Sequence, residues 1–150
     1  IEAELPTWVP LLDPPVRARL EQARKMPNSV FNNRINQVKA FSQQAANYFC
    51  EFDILALPTT SVTPPSLDEV AIPEGYSRNT KMALRNTCIA NLCGLAAITL
   101  PVALDRVNMP VGLQFMAANG KDSNLIRAAV VAEKILGTAA ERIGRPPLGY

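Results

Sequence analysis

A serine or cysteine that is to attack a carbonyl needs a base to take its proton, and the 150 residues contain no histidine. Every triad that uses imidazole as its base is thereby excluded within the chain. A hydroxyl or thiol could take lysine as its base instead, provided burial strips that lysine of its proton near neutrality. Lys25, Lys39, Lys81, Lys121 and Lys134 all lie among polar neighbours on expected helices or turns, which is the wrong setting. Ser29 and Ser123 read as helix starts, Ser42 lies within a helix, and Ser61, Ser66 and Ser77 fall in an irregular stretch. None occupies a glycine-rich elbow. Cys50, Cys88 and Cys93 are an odd number in mostly apolar contexts, so buried reduced thiols are expected rather than a zinc site. The phosphate-cradling glycine patterns are missing as well. The residues therefore offer no well-placed nucleophile and base, no zinc site and no nucleotide-cofactor pattern.

A different signal lies between Thr87 and Phe115, an apolar stretch interrupted by Asn91, Gly94, Pro101, Pro110, Gly112 and Gln114. Gly94 reads as a helix stop, and Pro101 and Pro110 as limits of strands at an edge or end. In "PVGLQFM", Gly112 and Gln114 point to one sheet face while Val111, Leu113 and Phe115 point to the other. A glycine inside a strand permits close approach of another chain segment, and a buried glutamine needs hydrogen-bond partners. An internal hydrogen-bonding role is preferred to substrate contact for both. Asn91 is expected to tie a helix end to a loop. Arg34, within a turn of the apolar positions Phe31 and Ile35, could clamp a carboxylate or simply face solvent.

These residues need elements to hold them. Asp13 and Pro14 suit a helix start, which predicts a helix over 14–25. Phe31, Ile35, Val38, Ala45, Phe49 and Phe52 recur at helical spacing and predict a long amphipathic helix after Pro27. Ile54 to Leu57 read as a short strand buried on both faces, closed by Pro58. Residues 61–77 are punctuated by proline and lack periodicity, so an irregular excursion is expected there. A helix follows over 80–92, then two apolar strands in "AAITLPVAL" and "PVGLQFMA", joined as a hairpin by "DRVNMP". Asp122 is expected to cap a last helix whose face is Leu125, Ala128, Ala129, Ala132, Ile135 and Leu136, ended by Gly137, with an extended tail "GRPPLGY".

The order predicts an α/β fold with helices on both sides of a mixed sheet. Only three strands are countable, so the sheet is expected to be part of a larger one. At 48% hydrophobic and 19% charged the chain can bury a core, and a net charge of +2 without a basic run gives no support for nucleic-acid binding. No apolar run is long enough for a membrane span, and "IEAELP" is unlike a signal peptide, so a cytoplasmic protein is expected. The start at Ile1, with no initiator Met, points to a piece of something longer.

Four blocks in order then resemble the C-terminal part of the amidase signature family. Asp53, Leu55, Pro58 and Thr59 match D-x-L-x-x-P-T. Asn91, Gly94, Ala97 and Pro101 match N-x-x-G-x-P-A-x-x-x-P, with Ala96 departing from the usual proline. Pro110, Gly112 and Gln114 match P-x-G-x-Q, and Asp122 and Glu133 match an Asp-led helix containing a glutamate. Taken singly the blocks are weak; four at the right spacing are specific. The resemblance implies an α/β/α sandwich with a mixed central sheet, incomplete in this chain, with residues 1–150 forming the C-terminal portion of a single domain. It also implies hydrolysis of small-molecule carboxamides through an acyl-serine, without metal or organic cofactor, by a Ser, cis-Ser and Lys set located upstream in a Gly/Ser-rich segment with no counterpart here, so that no catalytic residue is expected in this chain. That N-terminal catalytic portion is the implied partner, with a homodimer as a further expectation. The resemblance makes Arg34 the candidate for binding substrate carboxylates. It leaves open an amidase subunit of a glutamine-dependent amidotransferase, and a non-catalytic scaffold chain is the remaining alternative.

Overall fold

The computed structural model describes residues 5–145. The chain divides into two compact units, one ending at Gln37 and one beginning at Val38.

The first unit is helical: α1 (Leu5–Trp8), a 3-10 turn (Val9–Leu11), α2 (Pro14–Arg24) and the first half of α3 (Asn28–Tyr48). Asp13 is the N-cap of α2, but its side chain makes no cap hydrogen bond; the first turn is started by Pro14, whose fixed φ is already helical. The Arg17 guanidinium donates to the carbonyls of Pro10 and Leu12 at 3.3 and 3.4 Å, tying α2 to the 3-10 turn. The apolar stripe of α3 stays uncovered here, with Phe31 54% exposed.

In the second unit follow β1 (Leu55–Pro58), α4 (Leu67–Ala71), α5 (Pro73–Cys93), β2 (Ala96–Leu104), β3 (Pro110–Ala117), α6 (Asp122–Leu136) and α7 (Ala139–Ile143). The three strands form one sheet in the order β1-β3-β2, with both pairs antiparallel. This small sheet among helices is the α/β class expected. Helices α6 and α7 pack on β2, and α6 also on β3. The core holds Ala90, Cys93, Met116, Ala117, Leu125 and Ala129, with the helical period of α6 carrying Leu125 and Ala129 inward.

Several expectations are corrected. β1 is an edge strand and is not buried on both faces: Leu55 is 40% exposed and its neighbour Ala56, which points the other way, is exposed too. Ile135, assigned to the inner face of α6, is 76% exposed. Asp122 is the first residue of α6 rather than its cap; Lys121 takes that position without a side-chain hydrogen bond. α3 ends at Tyr48 and passes into turns, so Phe49 and Phe52 stack beyond it, at a centroid distance of 5.2 Å. Residues 61–77 are not wholly irregular: α4 forms there on a capping box between Ser66 and Glu69, and α5 begins at Pro73, well before Thr80. Gly75 makes that junction possible, since a β-carbon on it would overlap the Glu69 carbonyl oxygen. Of the tail "GRPPLGY", residues 146–150 lie outside the described residues.

The hairpin between β2 and β3 is closed by Asp105. Its carboxylate Oδ1 accepts the backbone N–H groups of Val107 and Met109, both at 2.8 Å, while Asn108 turns the chain at φ 62°. Asparagine tolerates that left-handed conformation better than a branched residue would. Asp105→Ala leaves two turn donors to water and lowers stability by about 1–2 kcal/mol. A urea melt reads this directly, and an unchanged midpoint would show that the carboxylate does not hold the turn.

A second capping box starts α7, where Thr138 and Glu141 exchange hydrogen bonds. The backbone hydrogen bond from Thr138, then that from its hydroxyl, hold the Glu141 carboxyl below its ordinary range. The depressed value fixes the sign: the box contributes fully above the ordinary glutamate range and is lost as pH falls through the folded value. An acid titration followed by the Glu141 amide resonance should show α7 fraying at acid pH, whereas Glu141→Gln should remove that acid transition.

Candidate functional site

The motif residues meet at one end of the sheet. Pairing puts Leu57 and Thr99 on either side of Gln114, and Leu55 and Ala97 on either side of Met116. By the same alternation Thr59, Gly112 and Pro101 share that face. The Thr59 N–H donates to the Gly112 carbonyl at 2.8 Å, which carries the ladder past β1. Across the vacant side of Gly112, the Thr59 hydroxyl donates to the Thr99 hydroxyl at 3.2 Å. A β-carbon on Gly112 would lie 2.7 Å from Thr59 Oγ1 and 2.8 Å from Thr99 Cγ2. Only glycine allows two outer strands to touch over the central one.

Pro101 and Pro110 frame the same place. Pro110 opens β3, and Pro101 sits inside edge strand β2, paired with Gly112 beside a register shift before Ala103; edge strands and bulges are where a strand tolerates proline. Asn86, not singled out from sequence, and Ser61, weighed there only as a nucleophile, secure the loop after β1. The Asn86 amide donates to the Pro58 carbonyl and the Ser61 hydroxyl to the Met82 carbonyl, each at 2.7 Å, fixing that loop to α5. The result is a groove of about 420 Å³ whose walls include Thr59, Thr60, Thr99, Pro101, Ala83 and Gly112.

The other candidates lie elsewhere. Gly94 ends α5 at φ 64° with its N–H on the Ala90 carbonyl. Asn91 is exposed and its amide makes no hydrogen bond among the described residues; the end of α5 is instead tied by the Ser42 hydroxyl, 3.0 Å from the Cys93 carbonyl. Asp53 faces a separate cavity of about 370 Å³ shared with Lys121 and Asn124. Arg34 is exposed on the part of α3 within the first unit. Gln114 is only 3% exposed, and its side chain makes no hydrogen bond among the described residues.

The groove is lined by threonine, proline, valine, alanine and glycine, without a titratable side chain. Thr60 is spent on the Val62 carbonyl, and Thr59 on Thr99, which leaves the Thr99 hydroxyl proton to donate outward. Such a wall can orient a polar ligand but cannot activate a nucleophile. The five lysines are all exposed. Burial pushes the Cys93 thiol up, away from thiolate chemistry. Among the described residues, no group of His, Cys, Asp or Glu could hold a metal ion, and no helix is long and apolar enough to cross a membrane.

Comparison with known proteins adds a lineage. A family model described as Amidase matches residues 8–126. The chain is 34% identical over 148 residues to 2-amino-5-chloromuconic acid deaminase from Comamonas testosteroni, covering 99% of this chain and 32% of that protein. A glutamyl-tRNA(Gln) amidotransferase subunit from Thermotoga maritima superposes with a TM-score of 0.64 at 26% identity, over 89% of this chain and 26% of that one. 6-Aminohexanoate cyclic dimer hydrolase, complexed with its substrate, shares the fold with a TM-score of 0.69 at 22% identity, over 82% of this chain and 28% of its own. The chain thus spans about a third of the length of the curated relative that it matches along almost its whole length.

Proposed function

This chain belongs to the amidase family, and from that membership we propose that it is the C-terminal portion of an amidohydrolase that cleaves carboxamide C–N bonds through an acyl-serine intermediate. In this reading the nucleophilic serine, the bridging cis-serine and the lysine base come from an upstream part of the same domain. A lysine kept neutral by desolvation draws the serine proton through the bridging hydroxyl and later returns it to the leaving amine, while backbone N–H groups receive the oxyanion.

The observation that carries the proposal is the join of motif residues at the groove: Thr59, Pro101, Pro110 and Gly112 come from three separate blocks and build one wall without a nucleophile. The Thr99 hydroxyl is placed to donate to a substrate carbonyl from that wall. The uncovered apolar side chains of α3 and α6 favour the same reading over a self-sufficient scaffold, which would have to cover them itself. An amidase subunit of a glutamine-dependent amidotransferase is the second reading, favoured by the likeness to the amidotransferase of Thermotoga maritima. Carboxylate binding by Arg34 belongs to the first, and the matched deaminase, whose name specifies an acid as substrate, supports it. Cytoplasmic location and a homodimer are part of the proposal.

The test is ammonia release from a panel of carboxamides with and without a carboxylate. The isolated 150-residue chain should release none; turnover by it would overturn the division of labour proposed here. In an active full-length protein, Arg34→Met should raise KM for carboxylate-bearing amides and leave kcat for neutral ones in place.

A further inference from the structure

The connection from β3 to α6 is only four residues long, 118–121, and it contains the single Asn-Gly pair of the sequence, Asn119–Gly120. Its two ends are fixed: Met116 and Ala117 on one side and Leu125 on the other are the most buried residues of the second unit's core. Between them the pair is exposed, and the turn closes by a bond from the Lys121 N–H to the Ala118 carbonyl at 3.1 Å. Gly120 sits at φ 73° with nothing within 4 Å of the place where a β-carbon would stand. Neither its N–H nor the Asn119 carboxamide has a hydrogen-bond partner among the described residues.

We propose that Asn119 is a spontaneous deamidation site, at which the Gly120 backbone nitrogen attacks the Asn119 carboxamide carbon. A bond forms between that nitrogen and Asn119 Cγ, the Cγ–Nδ2 bond breaks, and the nitrogen's proton leaves with the amide as ammonia. Water then opens the resulting succinimide at either carbonyl. Opening at Cγ gives aspartate; opening at the main-chain carbonyl gives isoaspartate, whose main chain runs through the former side chain. Glycine favours the first step because no β-carbon blocks the approach and its backbone is free to rotate.

Three other asparagines are protected by what the same geometry denies them. Asn108 also lies in a turn, but the following N–H, that of Met109, is held at 2.8 Å by the Asp105 carboxylate. The amides of Asn79 and Asn86 are occupied by the carbonyls of Gly75 and Pro58, and both residues lie in α5, where the next N–H groups belong to the helix ladder.

The product changes the structure around it. A β-carbon on Gly94 would meet Asn119 Nδ2 at 3.6 Å, so the amide lies beside the C-terminal end of α5. Replacing it by a carboxylate puts negative charge at the negative end of a 21-residue helix dipole. Isoaspartate also lengthens the main chain of a short connection between two buried anchors. Aged protein should therefore melt at a lower temperature than fresh protein.

The experiment is incubation of the purified chain at mildly alkaline pH, followed by peptide mapping that separates asparagine, aspartate and isoaspartate. The peptide holding Asn119 should convert several-fold faster than any other, with isoaspartate in excess, and Asn119→Gln should abolish the early conversion. Asn119→Asp should melt below the wild type, reproducing the charge part of the ageing shift. The proposal fails if Asn108 or Asn28 converts first, or if the Asn119→Gln protein loses ammonia at the wild-type rate.

Discussion

Gly112→Val should lower the stability of the second unit by about 2–3 kcal/mol, the upper part of the range of about 1–3 kcal/mol for forcing extra atoms into an occupied space. The neighbours of the missing β-carbon are the Thr59 hydroxyl and the Thr99 methyl, at 2.7 and 2.8 Å. Both belong to β-branched side chains, which are stiff at χ1 and cannot swing clear without losing their own rotamer. The strands must therefore separate, and the bond from the Thr59 N–H to the Gly112 carbonyl is the first to go. Urea unfolding measures the loss. Combining Gly112→Val with Thr59→Ala should cost less than the sum of the two single losses, because the sites are in contact and their effects do not add. A Gly112→Val protein within about 0.5 kcal/mol of the wild type would show that the sheet end is not packed as described.

Met116→Ala should be as damaging for the opposite reason. Met116 has no exposed surface and lies in the central strand between Leu55 and Ala97. Truncating it removes a buried side chain and leaves a cavity, for which about 2–5 kcal/mol is usual. β1 is a short edge strand and can shift to fill part of that space, which argues for the lower half of the range. Met116→Leu, nearly equal in volume, should cost under about 1.5 kcal/mol. Equal losses for both substitutions would mean that shape rather than volume sets the cost.

Much of this arrangement is legible in the sequence because its signals are local. The 3.6-residue period marks α3 and α6, and the apolar runs on either side of "DRVNMP" mark the hairpin, with Pro110 and Gly137 at the positions expected of them. The α4 and α7 helices escape a periodicity reading, although each begins with a capping box, Ser66 with Glu69 and Thr138 with Glu141. A five-residue helix has too little length for periodicity, so its cap is its whole signal. The start of α5 precedes its expected position at Thr80 for a related reason: Pro73 and Gly75 read as breakers, whereas Pro73 stands in the first turn and Gly75 relieves a contact with α4 that no sequence pattern reveals.

Within the candidate site, Gly112 stands out because a glycine in a strand needs an explanation. Thr99 and Asn86 do not, since a threonine in an apolar strand and an asparagine in a helix are ordinary until pairing brings them to Thr59 and Pro58. Gln114 is conspicuous for its polarity, and the structure adds that it is only 3% exposed and makes no side-chain hydrogen bond among the described residues. Arg34 is singled out by resemblance, and nothing in its exposed setting on α3 distinguishes it from other surface arginines.

The central claim, that this chain walls a site whose serine and lysine lie elsewhere, is tested most directly by covalent labelling. The protein purified from its natural source would be treated with a serine-reactive fluorophosphonate, and the intact mass under denaturing conditions and the labelled peptide would be determined. The label is expected on a longer polypeptide, or a companion chain, at a serine outside residues 1–150 and within a Gly/Ser-rich segment. A folded species of these 150 residues alone, either unlabelled or labelled on one of its own serines, would contradict it.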